Sequence, residues 1–328
     1  MRRILSYLLF LLLAAVLLYF SFRGVHWGDF WDGLKSADFN WIAASMVLGV
    51  LGFWIRGLRW RLLIRGAGHK VTRSQAFDAV NMAYLTNFAL PRAGELARCG
   101  VLTKSAGVPF DVLLGTVVLE RAFDTLCLLI IIAAVICGQW SLFGGFMYRE
   151  LWQPLSATGQ DHTLLIVVVL AVLLLMGLFI ILYRKRLAKL TLVQKIRKMV
   201  RGVWEGLCSG FRMPQKFSFF AYTLLLWGCY WGMCLCTLWA FPAVRHLNGL
   251  DAAFLMAVGG LGWAIPVQGG IGAYHFIISL ALTTVYGVAQ TQGMVFATIS
   301  HESQAVTMIV FGLYSLVHIA FTTRKTKK

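Results

Sequence analysis

Residues 87–98 read Asn-Phe-Ala-Leu-Pro-Arg-Ala-Gly-Glu-Leu-Ala-Arg, and residues 262–275 read Gly-Trp-Ala-Ile-Pro-Val-Gln-Gly-Gly-Ile-Gly-Ala-Tyr-His. Both stretches carry Pro-x-x-Gly, beginning at Pro91 and Pro266, and both lie within hydrophobic surroundings. A lipid bilayer offers no water to backbone groups freed by such breaks, so a broken helix at membrane depth must be buried in protein or line a wet cavity. Matching breaks in two halves of a membrane protein indicate a central binding site.

The composition predicts an all-α polytopic membrane protein. Of 328 residues, 59% are hydrophobic and 13% are charged, whereas soluble domains carry roughly 25% charged residues. A helix needs about 20 apolar residues to cross the hydrocarbon core. The six predicted full spans are residues 4–22, 40–57, 112–138, 163–183, 217–241 and 294–320. The two broken segments, residues 75–104 and 252–288, are predicted to be re-entrant helical hairpins.

The distribution of lysine and arginine predicts the topology. If each hairpin enters and leaves on one side, 25 Lys and Arg residues fall on that side of the membrane and 4 on the other. The positive-inside rule then places both termini in the cytoplasm of a multi-pass protein of the cell membrane, with a bacterial plasma (inner) membrane favoured. The net charge of +17 is therefore explained by the membrane, and no nucleic-acid partner is expected. The basic amphipathic segment 184–216 is either a positive-inside loop or a contact surface for anionic lipid head groups.

The same assignment predicts one transmembrane domain, residues 1–328, built from an inverted repeat. The two halves are approximately residues 1–140 and 160–322, and each contains two spans, a hairpin and a further span. The Pro-x-x-Gly motifs correspond between the halves. So do the charged pairs Glu120-Arg121 and His301-Glu302, each in the span that follows a hairpin.

The first hairpin supplies the strongest candidates for ligand binding. Arg92, Glu95 and Arg98 follow Pro91 at spacings of i, i+3. A helix that starts after the proline would point free N–H groups at the membrane centre, where they favour an anion. Arginine forks match phosphate geometry, so a phosphate-bearing ligand is expected. Asn87 either caps the break or contacts the ligand, and Glu95 is expected to hold the two arginines in place.

Three charged residues lie in the span that follows this hairpin. Arg121 and Asp124 are i, i+3 neighbours, so we predict that they pair. Glu120 is then left to accept a donor from elsewhere, either Arg92 or Arg98. Such intramembrane charges cost about 2.5–3.5 kcal/mol each on insertion scales. They form either a purely structural ion network or one that keeps an arginine available for an anionic ligand.

The second hairpin has no arginine and offers neutral groups. Gln268, Gly269 and Gly270 provide an amide and close backbone approach, and His275 provides one titratable group. His275 is either a satisfied interior histidine or a proton carrier. We expect no catalytic residue, no metal site and no cofactor in the chain.

Three motifs in this order resemble the lysylphosphatidylglycerol synthase transmembrane family, also called flippase-like integral membrane proteins. They are Asn87-x3-Pro91-x-x-Gly94-Glu95-x-x-Arg98, Leu119-Glu120-Arg121-x-x-Asp124 and Pro266-x-x-Gly269-Gly270-x-Gly272. Where that family often has an acidic residue after the last glycine motif, this chain reads Ala-Tyr-His at 273–275. The resemblance implies a module that moves or presents lipids. Full-length synthases add a cytosolic aminoacyl-transferase domain; the chain leaves no room for one after its last span, so lysyl transfer is not expected.

These observations support three hypotheses about function. The first is a flippase or transporter for an anionic, phosphate-bearing lipid or lipid-linked precursor, in which Arg92, Arg98 and Arg121 meet the head group. The second is a membrane-embedded transferase that modifies a lipid. The third is a non-catalytic scaffold of a lipid or envelope pathway. The expected partner in each case is a membrane phospholipid or a lipid-linked substrate.

Overall fold

The computed structural model describes residues 2–140, 215–265 and 267–325, and these residues form helices and connecting turns without any β-strand. The predicted helical fold class is confirmed. The helices are α1 (Arg2–Phe22), α2 (Trp27–Lys35), α3 (Phe39–Gly66), α4 (Arg73–Ala89), α5 (Gly94–Ala106), α6 (Phe110–Gly138), α7 (Lys216–Ala240), α8 (Gly249–Ala264), α9 (Ala273–Tyr286) and α10 (Gln290–Lys325). A 3-10 helix, Gln268–Gly270, precedes α9.

These helices belong to one compact unit formed by Met1–Gly138 and Arg212–Lys328. Of the second unit, Gln139–Phe211, the structure describes residues 139–140 only. The predicted span 163–183 and nearly all of the predicted basic segment 184–216 therefore lie outside the described residues, as does Pro266.

Several helices are long and apolar enough to cross a bilayer, which makes this a membrane protein. The five such stretches among the described residues are Phe39–Gly66, Phe110–Gly138, Lys216–Ala240, Gln268–Tyr286 and Gln290–Thr322. Four of them contain or closely match predicted spans. The fifth, residues 268–286, falls in the second predicted hairpin, because the 3-10 turn continues into α9.

The first break separates α4 from α5. Proline at position 91 has no N–H to donate and disfavours the helical conformation of the residue before it. Accordingly α4 ends at Ala89, and Arg92 adopts a left-handed φ of 63°. Helix α5 folds back onto α4. That return depends on Gly94, because a Cβ there would lie 2.2 Å from the carbonyl oxygen of Ala83.

The second break separates α8 from α9, and these two helices also pack against each other. Gly269, Gly270 and Gly272 have φ values of 55°, 76° and 82°, a region that glycine enters without steric cost. The close packing of α8 on α9 requires Gly262, since a Cβ there would lie 2.9 Å from the Cα of Tyr274. Both broken segments therefore consist of two helices joined by an irregular tip.

The two breaks meet in space. The ring of Phe88, in the last turn of α4, packs so closely on Gly269 that a Cβ there would lie 2.5 Å from the ring. The guanidinium group of Arg92 donates to the backbone carbonyl of Ala264, at the end of α8. The irregular tips of the two broken segments are therefore in direct contact.

Candidate functional site

A cavity of about 490 Å³ lies where the two breaks meet. Its charged lining comes from Arg56, Arg92, Glu95, Arg98, Arg121 and Asp124. Its aromatic and methionine lining comes from Phe53, Tyr84, Phe88, Trp227, Tyr230, Met233, Met256, Trp263, Tyr274 and Met308. The cavity therefore presents charged groups and a large apolar surface to the same occupant.

The charged wall is organised around Glu120, whose side chain is fully buried in α6. Its Oε1 lies 3.0 Å from Nε of Arg56 and 3.4 Å from Nη2 of Arg59. Its Oε2 accepts from Nη1 of Arg98 at 3.0 Å. A buried carboxylate is tolerated only when its charge is compensated in this way. Of the two predicted donors to Glu120, Arg98 makes the contact. Arg92 donates instead to the backbone carbonyl of Ala264, at the second break.

Two further carboxylates complete the cluster. Oδ1 of Asp124 lies 2.7 Å from Nη1 of Arg59, while the predicted Arg121–Asp124 pair is present at the longer distance of 3.8 Å. Glu95 lies 2.7 Å from Nε of Arg98 and 3.2 Å from Nε of Arg121. Glu95 thus bridges two arginines, although the second is Arg121 rather than the predicted Arg92.

The cluster contains more positive than negative groups. Among the described residues it holds four guanidinium groups and three carboxylates, which leaves one uncompensated positive charge. The arginines are Arg56, Arg59, Arg98 and Arg121, and the acids are Glu95, Glu120 and Asp124. The Arg121 side chain is 43% exposed, against 11% or less for the other three arginines. Arg121 is therefore the arginine of the cluster that an occupant of the cavity can reach most readily.

A buried tryptophan, Trp60, packs against one arginine of the cluster. Trp60 is fully buried in α3, and its Nε1 donates to the hydroxyl of Thr116 on α6 at 2.9 Å. The guanidinium of Arg98 stacks over the Trp60 ring, 4.5 Å from its centroid. This cation–π contact adds to the two carboxylate contacts of Arg98. The charged cluster is therefore carried by α3, α5 and α6.

Sequence reasoning did not single out Arg56 and Arg59, which it only counted among the 25 basic residues of the cytoplasmic side. The structure instead buries both within α3, with 9% and 0% of the residue exposed. The available signal was their i, i+3 spacing, which places them on one helix face.

Asn87 takes the capping position predicted as one of its two roles. Its Oδ1 accepts from the N–H of Gly94 at 2.8 Å, across the break, and its side chain also lines the cavity. In the second break, Gly269 and Gly270 line the cavity, whereas Gln268 and His275 do not. His275 is 3% exposed and lies beside His301 and Glu302. Glu120 also stays behind the lining, as the buried centre of the charge cluster.

The fold and the site define a polytopic helical membrane protein with a charged cavity between two broken helical segments. The chain belongs to the family described as the lysylphosphatidylglycerol synthase TM region, whose model matches residues 5–312. The resemblance seen in the three sequence motifs is thereby confirmed. The family makes the chain a lipid-related membrane module.

One curated relative is the glycosyltransferase AglD of Haloferax volcanii, which is 27% identical to this chain over 106 residues. The matched stretch covers 32% of this chain and 17% of AglD, so the chain spans only a small part of that relative's length. No solved protein structure matches the chain.

Proposed function

We propose that this protein is a flippase-type transporter that moves an anionic, phosphate-bearing lipid or lipid-linked precursor across the membrane. The observation that carries this proposal is the uncompensated positive charge on the wall of the cavity where the two breaks meet. Membership of the family supports a lipid as the substrate. The charged lining of the cavity supports an anionic head group on that lipid.

The charge balance favours an anionic occupant. One phosphate monoanion would neutralise the single excess positive charge of the cluster. Arg121 would bind it first, because it is the most exposed of the four arginines and because a guanidinium fork matches two phosphate oxygens. Arg98 also lines the cavity, from the other side of Glu95. An unpaired charge at membrane depth is costly, so filling the site with an anion stabilises the cluster.

The apolar lining suits the rest of an amphiphile. Aromatic and methionine side chains make adaptable contacts with acyl or isoprenoid chains. A water-soluble phosphate compound would gain nothing from these surfaces. Gly269 and Gly270 bring backbone close to the occupant, and the amide of Gln268 lies next to them in the same tip.

The proposed transport cycle uses the predicted topology. The two broken segments act as re-entrant hairpins of an inverted repeat, with halves at about 1–140 and 160–322, and both termini lie in the cytoplasm of a cell-membrane protein. Rocking of one repeat against the other then gives alternating access to the central site. The helix–break–helix order found in both halves supports this arrangement. The basic segment 184–216 would collect anionic lipid at the cytoplasmic face, at about 1 kcal/mol per basic residue.

The proposal is tested with purified protein in liposomes that contain acyl-NBD lipids, using dithionite to bleach the outer leaflet. Three probes share one labelled chain and differ in head group: phosphatidylglycerol, phosphatidic acid and phosphatidylcholine. We expect the protein to speed up exchange of the two anionic probes well beyond that of phosphatidylcholine. Equal exchange of all three, or none of any, would refute an anion-selective flippase.

A lipid-modifying transferase is the second candidate, and two observations favour it. The curated relative AglD is named a glycosyltransferase, and two carboxylates, Glu95 and Asp124, line the cavity. Mass spectrometry of lipids recovered from the same liposomes, after incubation with candidate activated donors, separates the two functions. A transporter returns the lipid with its mass unchanged, whereas a transferase returns a heavier product.

A further inference from the structure

A second polar cluster lies behind the second break. Fully buried His301, on α10, has Nε2 2.8 Å from the carbonyl oxygen of Gly269 and Nδ1 2.9 Å from Oε1 of Glu302. Nε2 of His275, on α9, lies 3.7 Å from the same carboxylate oxygen. The indole of Trp263 stacks on the His301 ring, with centroids 5.0 Å apart.

The two contacts of His301 together require a proton beyond those of a neutral imidazole and an ionised carboxylate. A backbone carbonyl can only accept, so Nε2 of His301 carries a hydrogen. In a neutral imidazole Nδ1 would then be a lone pair, which an ionised Glu302 would repel. A hydrogen bond at 2.9 Å forms only when a proton sits on Nδ1 or on the carboxyl group. The His301–Glu302 pair is therefore built to share one additional proton.

The surroundings of the pair favour this proton. The face of an aromatic ring attracts a cation, and Trp263 presents its face to His301. The Glu302 side chain is 53% exposed, and an ionised carboxylate on a membrane-spanning helix is costly. Sharing a proton with His301 lowers that cost. His275 is 3% exposed and its Nε2 faces the same oxygen, so it is the third polar side chain of the cluster.

Few other titratable groups face this cluster in the described residues. Tyr274, on α9, has its hydroxyl 2.8 Å from the Ser300 hydroxyl, and Cys234, on α7, lines the cavity with it. From the first break, the guanidinium of Arg92 is held at the carbonyl of Ala264. Neither Tyr274 nor Cys234 is an ordinary proton carrier near neutral pH. The exchangeable proton is therefore shared by His301 and Glu302, with His275 beside them.

We propose that His301, Glu302 and His275 form a proton-binding site that couples lipid movement to a proton gradient. The inference rests on the proposed transport function and names its coupling ion. It differs from the head-group site, because none of these three residues lines the cavity.

The path from proton to cavity is short. His301 holds the second break through Gly269, and Gly269 packs on Phe88 of the first break. Without the shared proton, the Nδ1 lone pair and the Glu302 carboxylate repel each other, which turns the His301 ring and moves its Nε2–H away from the Gly269 carbonyl. Proton loss thus frees the second break to separate from the first, which opens the cavity. Proton binding closes it again.

A second histidine–carboxylate pair provides a matched control. His318, further along α10, has Nδ1 2.7 Å from Oδ2 of Asp78 on α4. It lies 17 residues beyond His301, or about 25 Å along the helix. Neither His318 nor Asp78 lines the cavity, so this pair tests whether any histidine–carboxylate contact would produce the expected effects.

The transport test uses liposomes with acyl-NBD phosphatidylglycerol and the pH dye pyranine inside. With a gradient of one pH unit in either direction, we expect wild-type exchange rates to differ at least about threefold, with proton movement that accompanies lipid movement. Glu302→Gln keeps the size of the side chain, and its amide donates to Nδ1 without a shared proton. We expect this variant to move lipid at the same rate with either gradient and His318→Gln to behave as wild type. Gradient-independent transport by the wild type would overturn the proposal.

A second test does not depend on transport. Protein labelled with ¹⁵N-histidine reports the protonation of each ring nitrogen, and His301→Gln assigns the signal. We expect the signal of His301 Nδ1 to show a shared proton at neutral pH in the wild type and to change in Glu302→Gln but not in Asp78→Asn. A His301 signal unchanged by Glu302→Gln would refute the site, as would a stoichiometric divalent metal that only Glu302→Gln removes. If the wild type moves no lipid but passes this test, the transport function fails and the proton site remains.

Discussion

Replacing Arg121 with glutamine removes the most accessible guanidinium group of the charge cluster and one unit of positive charge. The change takes the cluster from one excess positive charge to none. Glutamine keeps much of the length of the side chain and an amide that still donates one hydrogen bond. The variant therefore tests charge rather than shape.

The expected loss of transport is larger than the expected loss of stability. A hydrogen bond to a charged group contributes about 1.5–3 kcal/mol, which corresponds to about ten- to 150-fold in affinity for the head group. The contacts of Arg121 with Glu95 and Glu120, at 3.2 and 3.3 Å, involve a side chain that is 43% exposed. Solvent screening at that exposure limits their contribution to folding to about 1 kcal/mol or less.

The assay is dithionite-detected exchange of acyl-NBD phosphatidylglycerol, run beside acyl-NBD phosphatidylcholine. Arg65→Gln serves as the matched control, because Arg65 is exposed in the last turn of α3 and away from the cavity lining. Size-exclusion chromatography and thermal unfolding in detergent establish that each variant is folded.

We expect Arg121→Gln to lose the preference for the anionic probe and Arg65→Gln to keep it. A folded Arg121→Gln protein that moves phosphatidylglycerol within twofold of the wild-type rate would show that the excess charge does not receive the head group. The cluster would then be a structural clamp that pins the first break.

Three further predictions concern the stability of the site. Glu120→Ala leaves several buried arginine contacts unpaired and is expected to destabilise the fold by about 3–5 kcal/mol, seen as a large drop in the thermal midpoint; a midpoint within two degrees of wild type would contradict the buried network. Gly94→Ala is expected to prevent α5 from packing closely on α4, since its Cβ would lie 2.2 Å from the Ala83 carbonyl oxygen. Gly100→Ala in the same helix meets nothing within 4 Å and should be neutral or slightly stabilising. Equal expression and equal thermal midpoints of the two variants would argue against this packing. Asn87→Ala removes the side-chain oxygen that accepts from the N–H of Gly94. We expect it to lower the free energy of unfolding by about 0.5–2 kcal/mol, measured by the same unfolding assay. Asn87→Asp keeps an oxygen at this position and is expected to retain most of the wild-type stability.

The sequence predicts the breaks well because their cause is local. Proline and glycine interrupt a helix wherever they stand, so the ends of α4 and the start of α9 follow from residues 87–98 and 262–275. The end of α3 is different. Hydropathy places it near residue 57, but the helix continues to Gly66. In the sequence, the charges of Arg56 and Arg59 indicate the end of a span. In the structure, both are compensated by carboxylates on α6, so the helix continues past them.

Those partners lie more than 60 positions away in the chain, and their pairing depends on how helices pack. The same holds for His301, whose contact with Gly269 joins residues separated by 32 positions. Sequence spacing identified His301 and Glu302 as charged residues in a span. It gave no sign that the histidine touches the second break, because that contact is set by the packing of α10 on the tip before α9.

The left-handed backbone at Arg92 has a meaning for other members of the family. An L-residue other than glycine pays about 1–2 kcal/mol for this conformation, and every other positive-φ position in the described chain is a glycine. Arginine therefore occupies position 92 for the reach of its guanidinium to α8, against the preference of its own backbone. A relative with glycine there would have an easier turn and would lack this contact between the two broken segments, which would then be joined through contacts such as that of Phe88 with Gly269.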